Sequence, residues 1–360
     1  MAITSYAVND PLAVKLWRKK LSVEAIQQTW YSKFIGKDQN SLIQLIDNTE
    51  KSAGDTVTYG LRMQLQSGGT LGDGTLEGDE EALITYSDSV VINQLRNAVR
   101  TGGRMSDQRV PFNLREEARL GLQDWWAQRF DLGFFNQLAG NCAVSDVRYT
   151  GNMAAVNPDA AHILYPSTGG ITDDSQLTSA NTFNLTMVDY AKELAETLNP
   201  LIRPIMLNGS AHYVMFLHPY QVTDLRTNTS TGQWLDIQKA AETGGEITKN
   251  PIFTGALGVY NQVILHSAYR IPTGVNNTNP ASPTSVASVR RAVFAGAQAG
   301  VIAFGRENGE DKMTWNEEVF DYGNQFGVSA GAIFAIKKTR YNSQDFGVLT
   351  VPTWAVQHSS

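Results

Sequence analysis

His212 and His218 stand six residues apart in AHYVMFLH, and a strand of that length would turn both imidazoles to one face, where a pair of them could hold a metal. No acid follows at ligand spacing, so a structural role is expected for both. Glu307, Glu310 and Asp311, with Glu317 and Glu318 beyond Trp315, could supply a general acid and a general base. That work needs a carboxyl group tuned by burial, and these clusters read as acidic surface loop. Cys142, in NCAVS, has no recognisable His or Asn context, and GxSxG is absent, so nucleophilic catalysis has no foothold. As the only cysteine it also excludes an internal disulfide and a zinc site of the CxxC kind.

Residues 67 to 81, SGGTLGDGTLEGDEE, combine glycines with acids. Gly72, Gly74 and Gly78 fit neither GxGxxG nor GxxxxGKS, and Asp73, Glu77, Asp79, Glu80 and Glu81 would repel a phosphate. The acids also lack the ligand order of an EF-hand, so a solvated, flexible tip is expected. No catalytic, cofactor-binding or metal-ligating residue is therefore assigned, and no enzyme activity is expected. An architectural role is the stronger class.

Charge and composition point the same way. A net charge of -6 argues against holding nucleic acid on a basic face, which needs clustered Lys and Arg. Arg18, Lys19 and Lys20, and Lys337, Lys338 and Arg340, are short clusters expected to be solvated. Hydrophobic residues make up 42% and charged residues only 18%, which leaves a surface poor in charge and suited to cover by other chains. Neither a signal peptide nor an 18-residue apolar run is seen, so no membrane partner is expected, and the chain should be made and kept in a cytoplasm or released without Sec-type export. A length of 360 residues predicts two lobes, or one with extensions.

Of the elements that must carry this surface, the segment Pro111 to Gly140 is the most legible. Asn113 can cap a helix and Glu116 can reach back to the free amides in a capping box. Leu114, Ala118, Leu122, Trp126, Phe130, Phe134 and Leu138 then recur every fourth position, with Trp125 and Phe135 beside them, while Arg115, Glu117, Arg119, Asp124 and Arg129 fall mostly elsewhere. The pattern predicts an aromatic-faced helix roughly 35 to 40 Å long. Something must lie along it.

Upstream, residues 1 to 10 read as an extended arm, and Leu12 to Ile35 as one or two helices, the second capped by Ser22, serving either as core or as an arm docked on a neighbour. Alternation over 55 to 66 and a run over 82 to 92 predict a long two-stranded ribbon, which needs another surface to lie against. Gln94 to Arg109 is read as a connection bent at Gly102 and Gly103. Beyond the long helix, Asn141 to Ala180 reads as loops with short strands at Val144 to Tyr149 and Ile163 to Tyr165. Helices are expected over Met187 to Leu198, Pro219 to Arg226, capped near His218, and Trp234 to Glu242; a buried strand over Tyr213 to Leu217; and a strand with a bend over Ile252 to Ile264. Gly274 to Ser288 reads as a surface loop of low complexity, and Ala292 to Phe304 as strand followed by small-residue helix. Strands over Gly327 to Ile336 and Phe346 to Pro352 must pair with earlier ones.

The phrases HYVMFLHPYQVTDLR (212 to 226), NPIFTGALGVYNQVILH (250 to 266), RAVFAGAQAGVIAFGR (291 to 306), WNEEVFDYGNQFGVSAGAIFAIKK (315 to 338) and DFGVLTV (345 to 351) resemble the major capsid protein family of tailed bacteriophages, and most closely its N4-like members. The resemblance runs along nearly the whole chain and implies an α+β fold of the Hong Kong 97 type. It further implies an N-terminal arm (1 to 50), an extended loop ribbon (51 to 105), a peripheral domain (106 to 186) with spine helix 113 to 139, an axial domain (187 to 315), and C-terminal strands (316 to 360) returning to the peripheral domain. Such a chain would form the pentamers and hexamers of an icosahedral shell around double-stranded DNA, bound without sequence preference. Its partners would be a portal, a decoration protein and, since no charged N-terminal scaffolding segment is seen, a separate scaffolding protein unless the N-terminal arm takes that role. It would reside in the virion capsid, and in the host cytoplasm during assembly. An encapsulin-like shell around cargo enzymes is the alternative that the same fold allows.

Overall fold

The computed structural model describes residues 21, 23–46, 54–61, 67–78, 80, 86–111, 113–166, 170–207, 209–228, 256–305 and 312–358. The chain begins with β1 (Ile35–Gly36), β2 (Ile43–Ile46), β3 (Thr56–Leu61), β4 (Tyr86–Val91) and β5 (Asn93–Arg100), then α1 (Arg104–Arg109), α2 (Leu114–Leu138) and α3 (Leu185–Thr197). It continues through β6 (Ile205–Leu207), β7 (Ser210–Leu217), α4 (Pro219–Thr227), β8 (Ala256–Tyr260), β9 (Val263–Ser267), β10 (Thr273–Asn276), β11 (Thr284–Ala295) and β12 (Gly300–Phe304). β13 (Thr314–Phe320), β14 (Gln325–Lys338), the short pair β15 (Arg340–Tyr341) and β16 (Gln344–Asp345), and β17 (Val348–Trp354) complete it.

Helix α2 starts where the spacing predicts, with the Asn113 side chain accepting the Arg115 N–H at 3.0 Å. Glu116 does not close the expected capping box. It accepts instead from Arg119 Nε at 3.1 Å and Nη2 at 2.7 Å, because a guanidinium one turn on offers two charged donors where the backbone offers a neutral one. Arg119 also pairs with Glu24, so it is buried where the sequence pattern had it off the apolar face. Ala118, Leu122, Trp126, Phe130, Phe134 and Leu138 are all buried. At 1.5 Å per residue the 25 residues of α2 extend about 37 Å. At Gly133 the helix touches the Gly151 turn so closely that a Cβ would lie 2.9 Å from the Gly151 nitrogen.

Two sheets flank this helix. The first has the order β1-β2-β12-β14-β13, with β5 also pairing β14; the second has the order β10-β11-β7-β9-β8, with β17 pairing β11 and β6 pairing β7. The C-terminal strands therefore pair with earlier ones in both: β14 in the first sheet and β17 in the second. Strand periodicity gives the first sheet two apolar faces. Ile302, Phe304, Phe334 and Ile336 meet Trp126, Phe130 and Phe134 of the helix. Their neighbours in sequence, Val301, Ala303 and Ala335, point the other way and meet Tyr59, Leu61 and Val90 of the ribbon. The ribbon and α2 thus lie on opposite faces of one sheet.

Several segments differ from the sequence reading. Asn93 to Arg100 is a strand, antiparallel to β14 from Gly327 to Phe334; its residues are mostly polar, and backbone pairing with a long neighbour, together with Leu95 packed against the core, holds it. Val144 to Tyr149 contains no strand: Val147–Tyr149 is a 3-10 turn capped by Asp146, and Ile163 makes only an isolated bridge to Thr350. The low-complexity stretch from Gly274 is a hairpin of β10 and β11, held in place by β17 on the other side of β11. VFAGAQAGVIAF is strand, turn and strand, because its small residues pack between strands and Gly296 stands where a Cβ would be 2.3 Å from the Arg203 carbonyl oxygen. Leu21 and residues 23–28 are helical, and Leu21, Ala25, Tyr31 and Phe34 join the core, which settles that part of the N-terminal segment as core. Residues 1 to 20, the Ser22 cap, residues 62 to 66 and 82 to 85 of the ribbon and the helix expected over Trp234 to Glu242 lie outside the described residues.

Candidate assembly surface

Two of the side chains singled out for chemistry, His218 and Glu317, are tied into the fold by hydrogen bonds. β7 ends at Leu217, so His218 leaves the strand and caps α4 instead of sharing a face with His212. Its Nδ1 accepts the Tyr220 N–H at 3.2 Å, and the His218 N–H donates to Gln221 Oε1 at 2.9 Å. Burial, and then the Arg290 charge, hold the imidazole down to about 4, which keeps it neutral and able to accept. His212 lies against the Ser210 carbonyl. Among the described residues no three His, Cys, Asp or Glu side chains gather as a metal site would require. Cys142 is half-buried, and burial pushes its thiol up.

Glu317 does not lie in a surface loop. It is 3% exposed on β13 and accepts from Arg115 Nε at 2.9 Å, Arg115 Nη2 at 2.5 Å and Trp315 Nε1 at 2.8 Å. Those donors fix it as a strut between α2 and β13; Glu307, Glu310 and Asp311 lie outside the described residues. Lys337, Lys338 and Arg340 are likewise no solvated cluster. Lys338 is buried with its Nζ 2.6 Å from Asp345 Oδ2, while Arg340 Nε donates to Asp345 Oδ1 at 3.1 Å. Their charges were legible in sequence, but their acidic partners were not.

Lys337 serves the ribbon. It pairs with Asp88 and donates to the Ser89 carbonyl at 2.7 Å, and Asp88 also accepts from Tyr59 Oη at 2.9 Å and from the Arg340 N–H at 3.1 Å. β3 and β4 pair antiparallel from Thr56 with Val91 to Leu61 with Tyr86, so the expected ribbon has its base on the first sheet. Its tip is exposed: Leu71 is 92% and Leu76 58% accessible, among Asp73, Glu77 and Glu80. A second exposed apolar corner joins Met105 of α1 to Tyr322 of the β13–β14 turn, where the Arg104 N–H donates to Asn324 Oδ1 at 3.3 Å. Exposed Leu, Met and Tyr at two such places are what an interface with another chain would cover.

The description "Phage capsid protein" belongs to a family model that matches residues 5–357. The chain belongs to the phage capsid protein family. The major capsid protein of Pseudomonas phage KPP25 is 28% identical, covering 93% of each chain. The capsid of Ralstonia phage GP4 is 35% identical over 100% of both chains, with a TM-score of 0.78. A capsid chain of Cyanophage Pam1, at 18% identity, covers 92% of this chain and 93% of that one with a TM-score of 0.66, and so shares the fold. The α+β phage capsid fold expected from the sequence is the one found.

In this capsid protein Asp131 fastens the N-terminal segment to α2. Its Oδ1 accepts the Trp30 N–H at 2.9 Å, and Arg270 Nε lies 3.6 Å from Oδ2. Burial pushes the carboxyl up to about 7, against the pull of the Trp30 N–H and Arg270. A carboxyl group raised in the fold stabilises it at low pH, and that contribution is lost as pH rises from about 4 to about 7. His218, lowered in the fold, acts in the opposite sense, its contribution being lost as pH falls from 6.5 to about 4. The two partly cancel in the wild-type profile. Asp131→Asn should therefore gain stability relative to wild type as pH rises. Urea midpoints of both proteins at pH 5 and pH 8 check this, and parallel midpoints would refute it.

Proposed function

We propose that this phage capsid protein is the major shell subunit, assembling through pentamers and hexamers into an icosahedral shell around the double-stranded DNA of a tailed phage. The observation that carries this reading is the ribbon, gripped at its base and exposing Leu71 and Leu76 at its tip, surface that a lone subunit leaves wet. Its arrangement is of the Hong Kong 97 type: β3 and β4 form the extended loop, α2 with the first sheet forms the peripheral part, and the second sheet with α3 and α4 forms the axial part whose tips meet at the symmetry axes. An acidic chain suits a container, because a basic wall would trap DNA through its phosphates. A portal, a separate scaffolding protein and a decoration protein complete the assembly, which takes place in host cytoplasm before the capsid becomes part of the virion.

Electron microscopy of the purified chain tests the reading. Closed particles are expected, and a lasting monomer would overturn it. DNA inside the particles favours the genome shell, whereas enzymes inside would favour the compartment alternative. Leu71→Asp with Leu76→Asp should leave the thermal unfolding of the subunit unchanged while removing assembly. Each leucine buried against a neighbour contributes about 1.5 to 3 kcal/mol. Its loss should therefore raise the concentration needed for particles by about tenfold or more, which light scattering reads directly.

The bend at Gly102 and Gly103 offers the shell a hinge between ribbon and body. Gly103 carries a φ of +119°, and a Cβ there would lie 3.1 Å from Asn324, so alanine strains the folded subunit itself. Gly102 has no such φ, and its Cβ would meet the Ser106 side chain, with Oγ at 3.0 Å. Gly102→Ala alone is thus the variant that tests a hinge in assembly.

A further inference from the structure

A cleft of about 550 Å³ opens between the second half of α2, the loop after it, the β9–β10 connection and the start of α4. Arg270, from the β9–β10 connection, and Arg290, from β11, both line it. Neither guanidinium donates a hydrogen bond to a described residue; Arg290 lies over the Tyr220 ring at 5.6 Å. Among the described residues the only carboxyl group paired with either is Asp131, 3.6 Å from Arg270 Nε, and burial pushes that carboxyl up to about 7, so that it is only part-charged at neutral pH. The Arg290 charge is felt by His218, which also lines the cleft and which it helps, after burial, to keep neutral. The same wall holds an idle acceptor: Asn141 is 4% exposed, its Nδ2 donates to Asn136 Oδ1 at 2.9 Å, and its Oδ1 has no partner among the described residues. Two cations in one cleft without a full counter-charge, beside an unused acceptor, cost free energy that a bound anion would offset.

We propose that this cleft binds a small phosphate dianion, free or as a monoester, between Arg270 and Arg290. Each guanidinium offers a planar fork of donors, and two forks reaching from different elements match an anion with acceptor oxygens on more than one side, as a tetrahedral phosphate has. The remaining hydroxyl of hydrogen phosphate, or a hydroxyl of a monoester, supplies the donor that Asn141 Oδ1 lacks. The cleft has room for more than a bare phosphate, and Tyr149 and Tyr269 offer rings against which the organic part of a monoester can pack. Leu132 and Asn136 bring α2 to one wall while Thr273 and Arg290 bring the second sheet to another, so the ligand would brace the seam between them.

Calorimetric titration of the purified chain with inorganic phosphate, at an ionic strength held constant with chloride, tests this. One saturable site is expected, together with an unfolding temperature that rises with phosphate and not with chloride. Arg270→Gln and Arg290→Gln should each weaken binding about tenfold or more, and Arg290→Lys, which keeps the charge without the fork, should fall between. Tyr269 is 59% exposed, so Tyr269→Glu leaves the fold intact and should weaken binding by repulsion at the mouth of the cleft, which covers the case of an arginine variant that does not fold. Adenosine monophosphate titrated in parallel identifies the source: an affinity no higher than that of inorganic phosphate points to the free ion, and tighter binding to a monoester held by the tyrosine rings. No heat beyond dilution with either compound, or binding that survives Tyr269→Glu and the double variant Arg270→Gln with Arg290→Gln unchanged, would overturn the site.

Discussion

Trp126→Ala is expected to lower the unfolding free energy of the subunit by about 3 to 5 kcal/mol. The indole is fully buried, stands edge-on to Trp125 and Phe334 with ring centroids at 5.1 and 5.9 Å, and packs on Phe130 at 5.5 Å. Its N–H has no hydrogen-bond partner among the described residues, so the loss is one of packing and cavity formation. A domain is stable by only about 5 to 15 kcal/mol, so the change removes a large share. Trp126→Phe, which keeps a ring in the cluster, should recover much of it. Denaturant midpoints of wild type and both variants decide the matter, and an unmoved Trp126→Ala midpoint would take α2 out of the centre of the fold.

Arg291→Met should destabilise by a similar amount, about 3 to 5 kcal/mol, for an electrostatic reason. Arg291 Nε donates to Asp174 Oδ2 at 2.6 Å, and both side chains are almost wholly buried. Its Nη1 donates to the carbonyls of Ala139 and Gly140 at 3.1 and 3.0 Å and to Asn157 Oδ1 at 3.0 Å. One side chain on β11 therefore satisfies free acceptors at the C-terminal end of α2 and neutralises Asp174. Removing it leaves a buried carboxylate with the Val275 N–H and Tyr165 Oη as donors. The double variant Arg291→Met with Asp174→Leu, which removes both charges, should be more stable than Arg291→Met alone. A double variant less stable than the single one would show that the ion pair is not the source of the loss.

Most of what repeats was legible from sequence. Every fourth residue of α2 from Ala118 to Leu138 is buried as its spacing predicts, alternation located β3, and an apolar run located β14. The misses share a cause: the partner, not the residue, determines the outcome. Asn93 to Arg100 looks like linker because most of its side chains are polar, yet its backbone pairs with β14 and Leu95 packs on the core. Lys338 and Glu317 look like surface charges, yet each meets an opposite charge that the fold brings to it.

The division of β12 and β14 into two faces also bears on mechanics. Towards α2 the sheet presents Phe304, Phe334, Ile302 and Ile336, interlocked with aromatic rings that permit little sliding. Towards the ribbon it presents Val301, Ala303 and Ala335, short side chains with shallow relief, and a lysine on a flexible stem. One wall of the sheet is therefore stiff and the other compliant. Stress on a shell of such subunits would be absorbed first as tilt of the ribbons, while the body of each subunit keeps its shape.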